Sequence, residues 1–196
     1  MEKGKTEKEK FLDCFRYVCH DFKVDDDNAE ALSLIFDWCM RKNNSRLKLH
    51  KGLYIYGNVG CGKTTLMKGI LEFISRYWLI DAESVTAYYE TAVEICLEFA
   101  DRGNIPYYVG IDDIGVESSP TLYNGNRVDV IAKFFTGIKG RLPHIVTCGI
   151  DFKGIWDKYS TPIFDRIGHN FNIVRLSGST RRDSSEIWKM VGYGEK

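Results

Sequence analysis

The sequence predicts an α/β fold, a parallel sheet of about five strands with helices on both faces. Two observations carry this. Short apolar runs alternate with segments of helical periodicity along most of the chain. One run, Leu53-Tyr54-Ile55-Tyr56, passes through a glycine-rich turn directly into a helical pattern. Strands that alternate with helices need crossover connections, which make neighbouring strands parallel and cover both faces of the sheet. With 196 residues, 44% hydrophobic and 28% charged, the chain is long and apolar enough for one globular domain with a sizeable core. Basic and acidic residues number 27 each, so bulk charge gives no argument for a polyanionic partner.

In chain order, Phe11, Phe15, Val18 and Phe22 recur at helical spacing and predict an amphipathic helix over residues 6–22. The turn Asp25-Asp26-Asp27-Asn28 offers N-caps for a second helix over 28–42, with Leu32, Ile35, Phe36 and Cys39 as its apolar face. A basic connector, Arg41 to Lys51, follows. Leu53–Tyr56 is the first strand, and Leu66, Met67, Ile70, Leu71, Ile74 and Trp78 mark the next helix. Further strands are expected at Ser84–Tyr88, Ile105–Ile111, His144–Thr147 and Asn172–Leu176, with helices near 91–101, over Val128–Ile138, and as short pieces in 151–168. This gives an N-terminal helical segment (1–44), a core (45–183) and a short tail (184–196). Six cysteines without a C-x-x-C pair, no secretory leader and no membrane-length apolar run point to a reduced, cytoplasmic protein. The four histidines share no metal-ligand spacing.

The chemistry is concentrated at Gly57-Asn58-Val59-Gly60-Cys61-Gly62-Lys63-Thr64, which satisfies G-x-x-x-x-G-K-[ST]. Glycines let the backbone turn with its N–H groups inward, so that a nest forms around phosphate oxygens. The following helix adds the positive end of its dipole. Lys63 supplies an ammonium for the β- and γ-phosphates, and the Thr64 hydroxyl is a ligand for Mg²⁺. The nucleotide, ATP, is thus expected to rest on Gly57 through Thr65. Cys61 fits either a variable filler position or a thiol activated by Lys63 and the helix N-terminus. A chance match to the pattern in this length is on the order of one per cent, and its position between strand and helix is the arrangement such a loop requires.

Tyr107–Ile111 is an apolar run that ends in Asp112-Asp113. Acids at the carboxyl end of a buried parallel strand lie where open α/β sheets bind ligands. Asp112 is expected to hold Mg²⁺ with Thr64, and Asp113 to orient or deprotonate the attacking water.

These residues, with Gly52–Gly57 ahead of the loop and Ile114-Gly115 after the acids, resemble the AAA+ ATPases of the DnaC-type helicase loaders, and equally the IstB-type transposition helpers. The similarity spans roughly Phe22 to Arg182. It implies a sheet in the order 5-1-4-3-2, while the short tail after Arg182 leaves too little for the family's usual helical lid, so the C-terminal lid is expected to be missing or minimal. It makes Arg166, in Phe164-Asp165-Arg166-Ile167, an arginine finger directed at a neighbouring subunit. It makes Arg181, in Gly178-Ser179-Thr180-Arg181-Arg182, the sensor arginine at the nucleotide, with Arg182 second. The implied function is slow, assembly-dependent ATP hydrolysis in DNA replication, with self-association into a ring or filament. The implied partners are a replicative helicase or another DNA-transaction protein.

Two departures bear on catalysis. Where the family carries a polar sensor residue, this chain reads Thr147-Cys148-Gly149, so either hydrolysis is slow or Thr147 substitutes. The second acid is Asp113, shorter than the family's common Glu. Phe22 and Val24 precede the second helix, where they either wall the adenine or pack in the core. The basic residues Arg41, Lys42, Arg46, Lys48 and Lys51 are read as a solvated connector or as contacts to single-stranded DNA. A small-molecule kinase and a non-hydrolysing ATP-sensing adaptor are the readings from other classes.

Overall fold

The structure is a computed structural model and describes residues 4–86, 107–115, 121–123, 126–128, 135, 145–159 and 161–182. The expected helix near 91–101 and the expected tail at 184–196, with any lid, lie outside the described residues. Helix α1 (Glu7–Val18) opens with a capping box in which Thr6 and Glu9 satisfy each other's backbone amides. It stops short of residue 22. Cys19 takes extended backbone angles, and Phe22 returns from the loop to stack on Phe15 with ring centroids 5.1 Å apart. The periodic phenylalanines therefore share one cluster without sharing one helix.

Helix α2 (Ala29–Cys39) is shorter than the expected 28–42; the left-handed Arg41 follows it. Asn28 stands at its N-cap position but makes no cap bond. Its buried side chain instead accepts from the Asp25 amide at 3.0 Å and donates to Lys23 O at 2.9 Å, ordering the loop ahead of the helix. Strand β1 (Gly52–Gly57) leads into α3 (Lys63–Phe73), which runs on as one π-helical turn, Ile74–Trp78, ended by the left-handed Leu79. Then come β2 (Asp81–Thr86), β3 (Tyr107–Ile114), a hairpin of β4 (Thr121–Tyr123) and β5 (Asn126–Val128), β6 (Ile145–Cys148), α4 (Phe152–Tyr159), α5 (Thr161–Asn170) and β7 (Phe171–Leu176).

The hairpin corrects the sequence reading at one point: Val128 closes an antiparallel strand and does not start a helix. The intervening pair Asn124-Gly125 is the sequence signal for such a connection. Of the expected helix over Val128–Ile138, Phe135 is described as helical and buried.

Among the described residues the main sheet is five-stranded, in the order β2-β3-β6-β1-β7, and every pairing in it is parallel. With its strands counted in chain order, it reads 5-1-4-3-2 from the β7 edge. Side-chain alternation divides the core between the two faces. Leu53 and Ile55 meet α1, α2 and α3, whereas Tyr54 turns to the face covered by α4 and α5, with Val109, Ile111 and Val146. Two glycines let α3 approach closely. A Cβ on Gly110 would lie 2.8 Å from both Met67 and Leu71, and one on Gly69 would lie 2.3 Å from the Phe15 ring.

The basic connector is tied into this framework. Lys42 pairs with Asp37 at 2.7 Å, Arg46 with Glu30 at 3.2 Å, and Lys51 donates to Gly168 O at 2.8 Å. The buried Asn172 of β7 bonds both backbone groups of Lys48, at 2.8 and 2.9 Å, which fixes the approach to β1. Among the described residues no helix is long and apolar enough to cross a membrane.

Because Phe15 fills the space above Gly69, Gly69→Ala is expected to destabilise the protein by about 1–3 kcal/mol through overpacking, and the added Phe15→Leu change should recover part of the loss. Chemical denaturation of the two variants checks this; an unchanged midpoint for Gly69→Ala would show that the α1–α3 contact is loose.

Candidate functional site

β1 delivers Gly57 to the carboxyl edge of the sheet, where the chain reverses into α3. A side chain has no room at Gly57, since its Cβ would lie 2.2 Å from Leu176 O on the adjacent strand. Gly60 (φ +79°) and Gly62 (φ +106°) hold left-handed angles that only glycine adopts freely. Gly62 precedes α3 without a side-chain cap, so the dipole and first-turn amides of the helix face the bend. Lys63 is 6% exposed and curls over the loop, its ammonium donating to Gly57 O at 2.9 Å and to Asn58 O at 2.8 Å. Cys61 is buried at 1% exposure, which favours the filler reading over a reactive thiol.

The second half of the site rests on a β-bulge. Ile111 pairs with Val146 and Ile114 with Cys148, so β3 carries one extra residue opposite β6. Asp113 lies within it at φ +55°. In a regular strand Asp112 and Asp113 would point to opposite faces. The bulge lets Asp112 reach Thr64 while Asp113 lines the adjoining cavity. The Thr64 hydroxyl lies 2.9 and 3.1 Å from the two Asp112 oxygens. On the other side the fully buried Thr147 hydroxyl donates to Asp112 Oδ1 at 2.5 Å and accepts the Asp113 amide at 2.8 Å. One threonine thus serves both acids.

Burial, and then the negative charge of Asp112, pushes the Asp113 carboxyl above its ordinary range, with Lys63 and Arg182 pulling the other way. A Cβ on Gly149 would stand 3.9 Å from Asp113 Oδ1, so the position that lacks a polar side chain borders this acid directly.

A cavity of about 700 Å³ joins these parts, lined among others by Phe22, Val59, Thr64, Asp113, Gly149 and Arg182. That volume suits a small-molecule ligand. Of the two residues considered for the base, Phe22 lines it, while Val24 is exposed and outside it. Residues Val59 through Thr65 line the cavity, and Gly57 and Asn58 form the stem of the loop. The donors at Thr64 and Asp112 are hard oxygens, and a magnesium ion prefers a few such ligands completed by phosphate and water. The set fits that ion. Among the described residues no cluster of three or more His, Cys, Asp or Glu suggests a separate metal site.

The arginines fall in three places. Arg166, on α5, is half-buried, donates to Phe135 O at 3.3 Å and lies outside the cavity lining. Arg182 lines the cavity and is felt electrostatically at Asp113. Arg181 also borders the cavity, but its guanidinium is engaged by Asp25 and by Cys61 O. Sequence reasoning took Asp25 as a helix cap and missed this pairing, which joins residues 156 positions apart.

No family model matches the sequence, and no curated protein does. Solved structures do. A candidate primosome component from Streptococcus pyogenes serotype M3 aligns with a TM-score of 0.59 at 21% identity, over 86% of this chain and 90% of that one. The DnaC helicase loader aligns at 0.53 and 15% identity, over 86% and 99%. AMPPCP-bound DnaA from Aquifex aeolicus aligns at 0.57 and 16% identity, over 92% of this chain but 57% of its own. These likenesses bear out the α/β fold with a parallel sheet and helices expected from the sequence.

Thr147→Val keeps the shape of the side chain but removes the hydroxyl that binds both acids. It is expected to cost about 1–3 kcal/mol of stability, because the Asp113 amide loses its partner. Denaturant melts test it, and a wild-type midpoint would sink the assigned role.

Proposed function

We propose that this chain is an ATP-binding and ATP-hydrolysing AAA+ protein that acts in DNA replication as a helicase-loader-like factor of the DnaC type. The observation that carries the proposal is the convergence of Lys63, Thr64 and Asp113 on one cavity at the carboxyl edge of a parallel sheet, with Asp112 bonded to Thr64 beside it. The fold shared with a helicase loader and with DnaA supports the replication setting. A transposition helper of the IstB type is the alternative within the same core.

In this reading the triphosphate rests on the amides of Gly57 through Thr65. Lys63 leaves its loop carbonyls to meet the β- and γ-phosphates, which gives a neutralising charge at the transferring group. Thr64 and Asp112 hold the magnesium ion, which when bound neutralises charge on the phosphate oxygens. Asp113, on the cavity wall, takes up a proton from the attacking water or orients it. Arg166 completes the transition state of a neighbouring subunit, so turnover depends on assembly. The replicative helicase is the proposed partner, with single-stranded DNA as a further ligand.

Gly149 supports a second reading, an ATP-sensing adaptor with little turnover, because no side chain at that position helps Asp113 hold water. Steady-state ATPase assays with and without single-stranded DNA, together with co-purification with the host's replicative helicase, separate the two. Stimulated turnover and helicase capture support the loader, and ATP binding without turnover supports the adaptor. Lys63→Ala is expected to abolish ATP binding. Arg166→Ala should leave ATP binding intact and reduce assembled turnover by about 10³-fold or more; unchanged turnover in that variant would rule out its role as a finger.

A further inference from the structure

The turn that follows β7 is built against the phosphate loop. Asn58 Nδ2 donates to Gly178 O at 3.2 Å, the Arg181 amide donates to Gly60 O at 2.9 Å, and Arg181 Nε donates to Cys61 O at 3.0 Å. Space is as tight as the hydrogen bonding: a Cβ on Gly60 would lie 2.2 Å from Thr180 Oγ1. The outer end of the guanidinium is held in a fork by Asp25, with Nη2 to Oδ1 at 2.9 Å and Nη1 to Oδ2 at 2.5 Å. Asp25 is itself ordered, because its Oδ1 accepts the amides of Asp27 and Asn28, each at 3.1 Å, while buried Asn28 binds back to Asp25 and Lys23. Asp27 in turn packs so closely on Gly178 that a Cβ there would stand 2.6 Å from its carboxylate.

We propose that Asp25 and Arg181 form a clasp that holds the phosphate loop in its binding shape and sets how fast nucleotide leaves. The proposal rests on the nucleotide-binding reading above. It makes Arg181 a positioning residue that acts through the loop rather than a residue that touches phosphate. The peptide plane gives the mechanism. C=O and N–H of a trans peptide point in opposite directions, so gripping Cys61 O from behind fixes the direction of the Gly62 N–H, and Gly62 lines the cavity. To reach a phosphate, Arg181 would have to release a bidentate carboxylate and a loop carbonyl together. Arg182 lines the cavity and lies within electrostatic reach of Asp113. The clasp also joins the segment before α2 to the turn after β7, and both of its residues line the cavity.

The full chain is assayed for release of fluorescent ADP and ATP analogues by stopped flow, using wild type, Asp25→Asn, Arg181→Gln and the double variant. Melting of each nucleotide-free protein is followed in parallel. The pair is partly exposed, so each single change is expected to speed release about fivefold, equal to about 1 kcal/mol. The double variant should be no faster than the singles, because both remove the same clasp. ADP and ATP should be affected equally, since the loop amides hold the inner phosphates that both share. Arg181→Lys, which keeps the charge but loses the fork, should fall between wild type and Arg181→Gln. Wild-type release from Asp25→Asn would overturn the clasp. So would an Arg181→Gln defect confined to ATP, which would mean direct contact with the γ-phosphate. Failure of the wild-type protein to bind either analogue would overturn the nucleotide reading itself.

Discussion

The buried carboxylate of Asp112 holds the two halves of the site together. It receives one hydroxyl from Thr64 at the start of α3 and another from Thr147 on β6. A carboxylate at 7% exposure is costly unless its oxygens are bonded, and these two hydroxyls supply the bonds from two different elements. The first turn of α3, the end of β3 and the end of β6 are thereby fixed relative to one another. The geometry of the loop, the placement of Asp113 and the shape of the cavity follow from that arrangement.

The bulge in β3 explains how two adjacent acids serve one site, Asp112 on Thr64 and Asp113 on the cavity wall. A regular pleat would have sent Asp112 and Asp113 to opposite faces of the sheet, leaving one of them inside the hydrophobic layer beneath α4 and α5. The extra residue places Asp113 in the left-handed region, a conformation aspartate tolerates better than most side chains. Its amide, freed from the ladder, is taken up by Thr147. The strain is compensated locally, and the compensating residue is the one that also orients the other acid.

Around this centre the packing is asymmetric. The face beneath α1, α2 and α3 holds a dense aromatic cluster, with Phe11 and Phe15 in edge contact at 4.8 Å and Phe11 and Phe73 at 5.4 Å. The helix that bears Lys63 and Thr64 is thus anchored over its length against α1 and the sheet. A rigid platform of this kind suits a site whose ligand-facing groups must be held in place before ligand arrives. The flanking segments, 19–28 and 177–182, contribute fewer buried side chains; 177–182 touches the loop through polar contacts, and 19–28 reaches it through the Asp25–Arg181 pair.

The sequence by itself determined the layered parallel architecture, the loop at Gly57–Thr64 and the acids at the end of β3. Each is written in contiguous residues, as apolar periodicity, a glycine pattern or an apolar run ending in charge. Chain-local patterns could not show what depends on registry between distant segments. Only the tertiary structure decided that α1 ends before Phe22, that Val128 closes a hairpin, that Thr147 bonds both acids, and that Asp25 binds Arg181 instead of capping α2. The physical reason is the same in each case. A hydroxyl, a carboxylate or an aromatic ring takes the partner that folding brings within a few ångströms, and that partner here lies from a few to 156 positions away along the chain.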